Sequence, residues 1–106
     1  MSESKPCIAI LEGTFKEGGQ NTAEFKEYSQ RSNANGEANG GKLLGKYIIN
    51  ANLAQGDMPH VVFVVQFPSR AVAENTFNNA EYRAIIPLRD VVFDEVKILL
   101  SDNYEQ

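Results

Sequence analysis

Residues 60–101, HVVFVVQFPSRAVAENTFNNAEYRAIIPLRDVVFDEVKILLS, leave the chain few choices of fold. The run VVFVVQF from Val61 to Phe67 is β-branched and aromatic and too short for an ordinary helix, and Pro68 biases Phe67 toward extended backbone, so it reads as a strand. Val61, Phe63, Val65 and Phe67 share one face, and His60, Val62, Val64 and Gln66 the other. Both faces are largely apolar, so each needs a cover. Ser69 stands where an N-cap belongs, and Val72, Ala73, Thr76 and Phe77 recur at helical spacing, which predicts a short amphipathic helix. Asn78-Asn79 interrupts it. A second helical piece follows with Tyr82, Ile85 and Ile86 on one face, weakened near its end by Pro87, which has no amide proton. Residues 92–101 alternate, with Val96, Ile98 and Leu100 opposite Glu95, Lys97 and Leu99, and close the unit with a strand.

The first sixty residues supply the other half. Residues 1–6 are polar and expected to be loose, and residues 7–14, CIAILEGT, read as a strand with Cys7, Ala9 and Leu11 on one face and Ile8 and Ile10 on the other. Gly18-Gly19 marks a loop. Asn21 followed by Glu24 has the spacing of a capping box and opens a helix whose inward residues are Phe25 and Tyr28, with Ser32 beside them, a thin apolar stripe. The Asn- and Gly-rich segment 31–41 predicts that this helix ends near residues 33–35 in a flexible connection. Residues 42–52 form a strand interrupted by Gly45, where a missing side chain signals a bulge or a close approach by another group. Residues 55–59, QGDMP, turn the chain into the strand that begins at Val61.

The order is strand, helix, strand, strand, helical pair, strand. This is the split βαββαβ plan of an α+β, ferredoxin-like domain: a four-stranded antiparallel sheet with helices on one face, over residues 1–106 as one domain. The uncovered face is apolar by the same strand patterns. A large exposed apolar sheet marks an interface, so a homodimer with two sheets stacked face to face is expected.

Composition narrows the function classes. The 106 residues carry 10 Lys and Arg against 14 Asp and Glu, a net charge of -4. Such a balance argues against a nucleic-acid partner, because phosphate-backbone binding depends on clustered cations releasing counterions. An RNA-recognition module of the same strand order fails on that charge, and on a third strand lacking the basic and aromatic signature of such sheets. The single cysteine, Cys7, cannot form an internal disulfide, which fits a reducing cytoplasm. No apolar run approaches the ~20 residues a membrane helix needs, so no membrane association is expected. Neither Gly18-Gly19 nor the glycines from Gly36 to Gly45 follow phosphate-loop or dinucleotide spacing, and no metal-ligand cluster is spaced in the chain, so neither cofactor nor metal is expected.

Several anchors also carry a resemblance: FPSR at Phe67 to Arg70, the Glu81-Tyr82 pair, the run YRAIIPLR from Tyr82 to Arg89, Tyr28 in the first helix, and Gly40-Gly41 after it. In these the chain resembles the domain of unknown function 1330 family, within the dimeric α/β-barrel superfamily. The resemblance covers most of the chain and is strongest from Val61 to Arg89. It implies the ferredoxin-like fold and barrel-type dimer already reached from the pattern, in a family without an assigned biochemical role. The chain departs from the family pattern at Thr76, where a Trp is common, and at Ala80, in place of a Pro. Residues 33–39 are polar where the first helix commonly ends apolar, and Tyr47-Ile48 stands where a Gly pair follows Lys46.

Four residues form the candidate ligand site: Arg89, Tyr82, His60 and Tyr28. Arg89 is a position the resemblance singles out, and its planar fork suits a carboxylate; the competing reading is an ion pair with Asp90, Asp94 or Glu95. Tyr82 and Tyr28 have an apolar ring and a polar tip, fit for the core or for a donor in a pocket. His60, the one histidine, begins a strand beside a turn and would serve as a general base only if it lined a cleft. Cys7 reads as a buried small residue, since a nucleophile would need a neighbouring base. Glu12 must reach solvent or a partner. Two functions fit. One is a small-molecule site for an anionic or aromatic metabolite between sheet and helices, with cofactor-independent catalysis suggested by fold analogy. The other is a non-catalytic dimeric module that binds a metabolite or a protein.

Overall fold

The computed structural model describes residues 5–102. Its elements are β1 (Cys7–Phe15), α1 (Ala23–Ala38), β2 (Lys42–Ile48), β3 (Val61–Phe67), α2 (Arg70–Thr76), α3 (Ala80–Val92) and β4 (Phe93–Asp102), with a single 3-10 turn at Gly19–Asn21 before α1. The four strands form one antiparallel sheet in the order β2-β3-β1-β4, the ferredoxin-like arrangement. Of the N-terminal segment expected to be loose, residues 1–4 lie outside the described residues.

Strand faces follow the alternation. Cys7, Ala9, Val61 and Phe67 are buried against the helices with Tyr28, Ala73, Tyr82, Ile85, Val92 and Phe93. Ser69 caps α2, its hydroxyl accepting from the Val72 amide at 3.2 Å, and Asn79 caps α3 in the same way from Tyr82 at 2.8 Å.

Three boundaries differ from the sequence reading. The N-cap of α1 is Thr22, whose hydroxyl accepts from the Phe25 amide, because Asn21 is taken up in the preceding 3-10 turn. The helix then runs through the polar segment to Ala38 instead of stopping near residues 33–35. Tertiary bonds hold it: the buried Asn35 side chain donates to the Thr76 carbonyl at 2.9 Å and accepts from the Asn79 side-chain Nδ2 at 2.9 Å. Its end is a Schellman motif, with Gly40 at φ 82° and the amides of Gly40 and Gly41 donating to the Glu37 and Gly36 carbonyls. Strand β2 ends at Ile48, short of residue 52. Pro87 lies inside α3, which continues to Val92; the carbonyl of Arg83, deprived of its helical donor, belongs to an exposed residue and can be hydrated.

The expectation at Gly45 holds in both its forms. The β2–β3 register shifts between Leu43 and Gly45, a bulge, and a Cβ at Gly45 would fall within 2.7 Å of the Tyr47 ring. The face away from the helices carries Ile8, Ile10, Val62, Val64, Tyr47 and Leu99, set together by Ile10 pairing with both Val64 and Leu99 and by Val62 pairing with Tyr47.

Candidate functional site

Helix α1 packs on α3, not flat on the sheet. Toward the sheet it offers Phe25 and Tyr28, then Ser29, Ser32, Asn33 and Gly36, with the exposed Glu37 at its end. Small side chains cannot span a helix-to-sheet layer, so a cavity of about 440 Å³ opens between α1 and the β2–β3 edge. That volume lies within the range of small-molecule pockets. Phe25, Tyr28, Phe63, Phe67, Phe77 and Phe93 are among its lining residues, with Leu43 and Lys46 contributed by β2. The rings are locked by edge contacts: Phe25 and Tyr28 meet Phe93 at 6.1 and 5.9 Å between centroids, and Phe77 meets Phe67 at 5.8 Å.

Three of the four candidate residues come together behind one wall of this cavity. The Tyr28 and Tyr82 hydroxyls are 2.8 Å apart across the α1–α3 interface, and Arg89 Nη1 donates to the Tyr82 hydroxyl at 3.4 Å. The guanidinium also lies 5.9 Å from the centre of the Tyr82 ring. Only Tyr28 of these three lines the cavity. The Tyr82 oxygen accepts from Arg89, either hydroxyl can donate across the tyrosine pair, and Ser32 lies beside the Tyr28 hydroxyl. Burial, then the adjoining Tyr82, pushes the Tyr28 phenol well above its ordinary value, so it is a donor and not a base. For Arg89 burial alone would lower the pKa; the hydrogen bond and charge interaction with Tyr82 and the nearby Asp90 reverse that, and the net shift is upward. Its ion pair to Asp90 is long, at 3.5 Å to a largely exposed carboxylate. Arg89 thus reaches the cavity through two hydroxyls and also borders a separate, smaller hollow with Asp90, Asp94 and Glu95.

His60 does not join the cluster. It is exposed at the start of β3, its Nδ1 accepts from the Phe15 amide at 3.0 Å, and its ring stacks on Phe15. Cys7 is fully buried, and burial raises its thiol pKa, the opposite of what a nucleophile needs. Glu12 is half-buried opposite Lys97 on the face away from the helices. Among the described residues no three His, Cys, Asp or Glu side chains converge as metal ligands would, and no helix is long and apolar enough to cross a membrane. The sequence reading missed Lys46 and the polar side of α1. Gly45 was the available signal, since a bulge there inverts the facing of the strand residues after it.

The profile of the domain of unknown function DUF1330 matches residues 17–102. The chain belongs to the DUF1330 family. No curated protein matches it. Among solved structures, this DUF1330 chain is similar to a protein of unknown function from Rhodopseudomonas palustris, with a TM-score of 0.80 at 15% identity, covering 98% of this chain and 86% of that one. It is also similar to SnoaB, a cofactor-independent oxygenase from Streptomyces nogalater, with a TM-score of 0.66 at 9% identity and 97% of each chain covered. A putative antibiotic biosynthesis monooxygenase from Caulobacter crescentus is similar too, with a TM-score of 0.65 at 12% identity, covering 96% and 92%. At such identities the likeness is one of fold alone.

Proposed function

We propose that this DUF1330 protein binds a flat aromatic metabolite in the cavity between α1 and β2–β3, with Tyr28 as the hydrogen-bond donor at its wall. The observation that supports this reading is the lining: six Phe and Tyr rings around about 440 Å³, with one buried phenol held protonated among them. Aromatic walls with few polar groups select planar ligands and orient them through the polar contacts. Arg89 and Tyr82 act in this reading as positioning residues that hold the Tyr28 hydroxyl at the wall, and His60 has no part in it. Cofactor-independent turnover, as in the oxygenase among its structural neighbours, is the catalytic form of the same proposal.

The working unit we propose is a homodimer joined through the apolar sheet face, where Leu99 and Tyr47 are 45% and 54% exposed in the single chain. A lone buried cysteine is in keeping with a cytoplasmic home.

A thermal-shift screen of aromatic carboxylates, phenols and quinone-like compounds tests the site. A ligand at about 100 times its Kd adds about 2.7 kcal/mol, a rise of several degrees for a domain of this size. Tyr28→Phe and Arg89→Ala are expected to reduce that rise. No shift with any compound would overturn the proposal in favour of a partner-binding module.

A further inference from the structure

We infer that Lys46 is the residue that gives this cavity a preference for anionic ligands. The inference rests on the cavity being a ligand site, and it assigns the ligand's charge and orientation there.

Four charged residues border the cavity: Glu12, Glu37, Lys42 and Lys46. Strand register removes two of them from its interior. Glu12 pairs with Val62 and Lys97, and Lys42 pairs with Gln66, all on the face away from the helices. Strict alternation along β2 would send Lys46 to that same face, two residues beyond Leu44 and four beyond Lys42. The bulge between Leu43 and Gly45 reverses the parity, so that Lys46 pairs with Phe63 on the cavity side. Its Nζ lies 5.7 Å from the centre of the Phe63 ring. Among the described residues Lys46 makes no ion pair.

The two remaining charges stand at opposite ends. Glu37 belongs to the last turn of α1, where Gly41 is bonded to Gly36 and borders Phe67. Lys46 lies opposite Phe63, four residues before Phe67 in β3, roughly 13 Å away at strand rise. The cavity is therefore polar along its length: a carboxylate at the Phe67 end, an unpaired ammonium at the Phe63 end, and aromatic rings between. An aromatic acid fits with its ring along Phe63 and its carboxylate on Lys46; the reverse orientation sets carboxylate against carboxylate. The bulge appears where a strand must re-aim one side chain, and Gly45 allows it by leaving room for the Tyr47 ring.

Titration calorimetry with 2-naphthoate and its neutral isostere 2-naphthamide tests the assignment. The wild type is expected to bind the acid about tenfold more tightly, the scale of one partly exposed charge-assisted contact. Lys46→Met keeps the stem and should bring the ratio to about one, Lys46→Arg should retain it, and Lys42→Met should leave it unchanged. Equal binding of both probes by the wild type, or an unchanged ratio in Lys46→Met, overturns the role of Lys46 while the cavity stands. If neither probe binds the wild type, the cavity reading falls and takes this inference with it.

Discussion

The hydroxyl pair of Tyr28 and Tyr82 should be thermodynamically coupled, with unequal single-mutant costs. The two rings are 8% and 1% exposed, and their oxygens are 2.8 Å apart. In Tyr82→Phe the Tyr28 hydroxyl loses its partner in a buried place, a loss of about 1–3 kcal/mol for an unsatisfied polar group. Arg89 loses its 3.4 Å contact too, but with 25% of its side chain exposed it recovers water. In Tyr28→Phe the Tyr82 oxygen still accepts from Arg89, so the cost falls to that of one net hydrogen bond, about 0.5–1.5 kcal/mol. The double Phe variant leaves no orphan hydroxyl and should cost no more than Tyr82→Phe alone, a coupling of about 1 kcal/mol. Urea unfolding at fixed protein concentration, followed by circular dichroism, measures all four corners of the cycle. At a slope of about 1.5–2 kcal/mol/M, the Tyr82→Phe midpoint should fall by roughly 1 M with unchanged slope. Additive single effects, or a larger loss in Tyr28→Phe, would refute both the pairing and the part assigned to Arg89.

Alkaline pH offers a second readout. Burial raises the Tyr28 pKa in the folded chain above its unfolded value near 10, so the folded state keeps a proton that the unfolded state has lost. That stabilisation is fully present below about pH 10 and is lost above it at about 1.4 kcal/mol per pH unit until the folded phenol also ionises. Unfolding of Tyr28→Phe across the same range should show a slope shallower by one proton, and identical slopes would contradict the burial effect. The sheet-face dimer predicts twice the chain mass in light scattering at micromolar concentration, reduced to a single mass by Ile10→Lys, which places a charge between Val64 and Leu99. A monomeric wild type would end the sheet-stacking argument.

Strands and caps were legible in the sequence where local chemistry decides them. VVFVVQF before Pro68 had one reading, Ser69 announced α2, and Asn78-Asn79 separated it from α3. The end of α1 was misplaced because residues far away settle it. Asn33 to Asn39 has the composition of a connection, yet it is helix because Asn35 reaches Thr76 and Asn79, forty-one and forty-four residues on. Pro87 lies near the end of α3 as read, and the carbonyl it frees belongs to the exposed Arg83. The site divided in the same manner. Tyr28, Tyr82 and Arg89 were legible as types, amphipathic rings and a planar cation, and their convergence needed the α1–α3 packing. His60, a general base only if it lined a cleft, stands apart from them.

The thin stripe of α1 connects these results. A helix covering a sheet presents apolar residues at every turn of its inner face. Here Phe25 and Tyr28 hold one end against Phe93, and the turns after them bring Ser32 and Gly36, which cannot reach β3. The helix would be poorly anchored there were it not for Asn35, whose bonds to Thr76 and Asn79 tie its far end to the α2–α3 junction instead of to the sheet. Polar tethering thus replaces apolar burial over half the helix, and the space that burial would have filled remains as the cavity. The same Asn79 that Asn35 holds also caps α3 just before Tyr82, so the tether fixing the roof of the cavity also fixes the residue bonded to the Tyr28 hydroxyl at its wall.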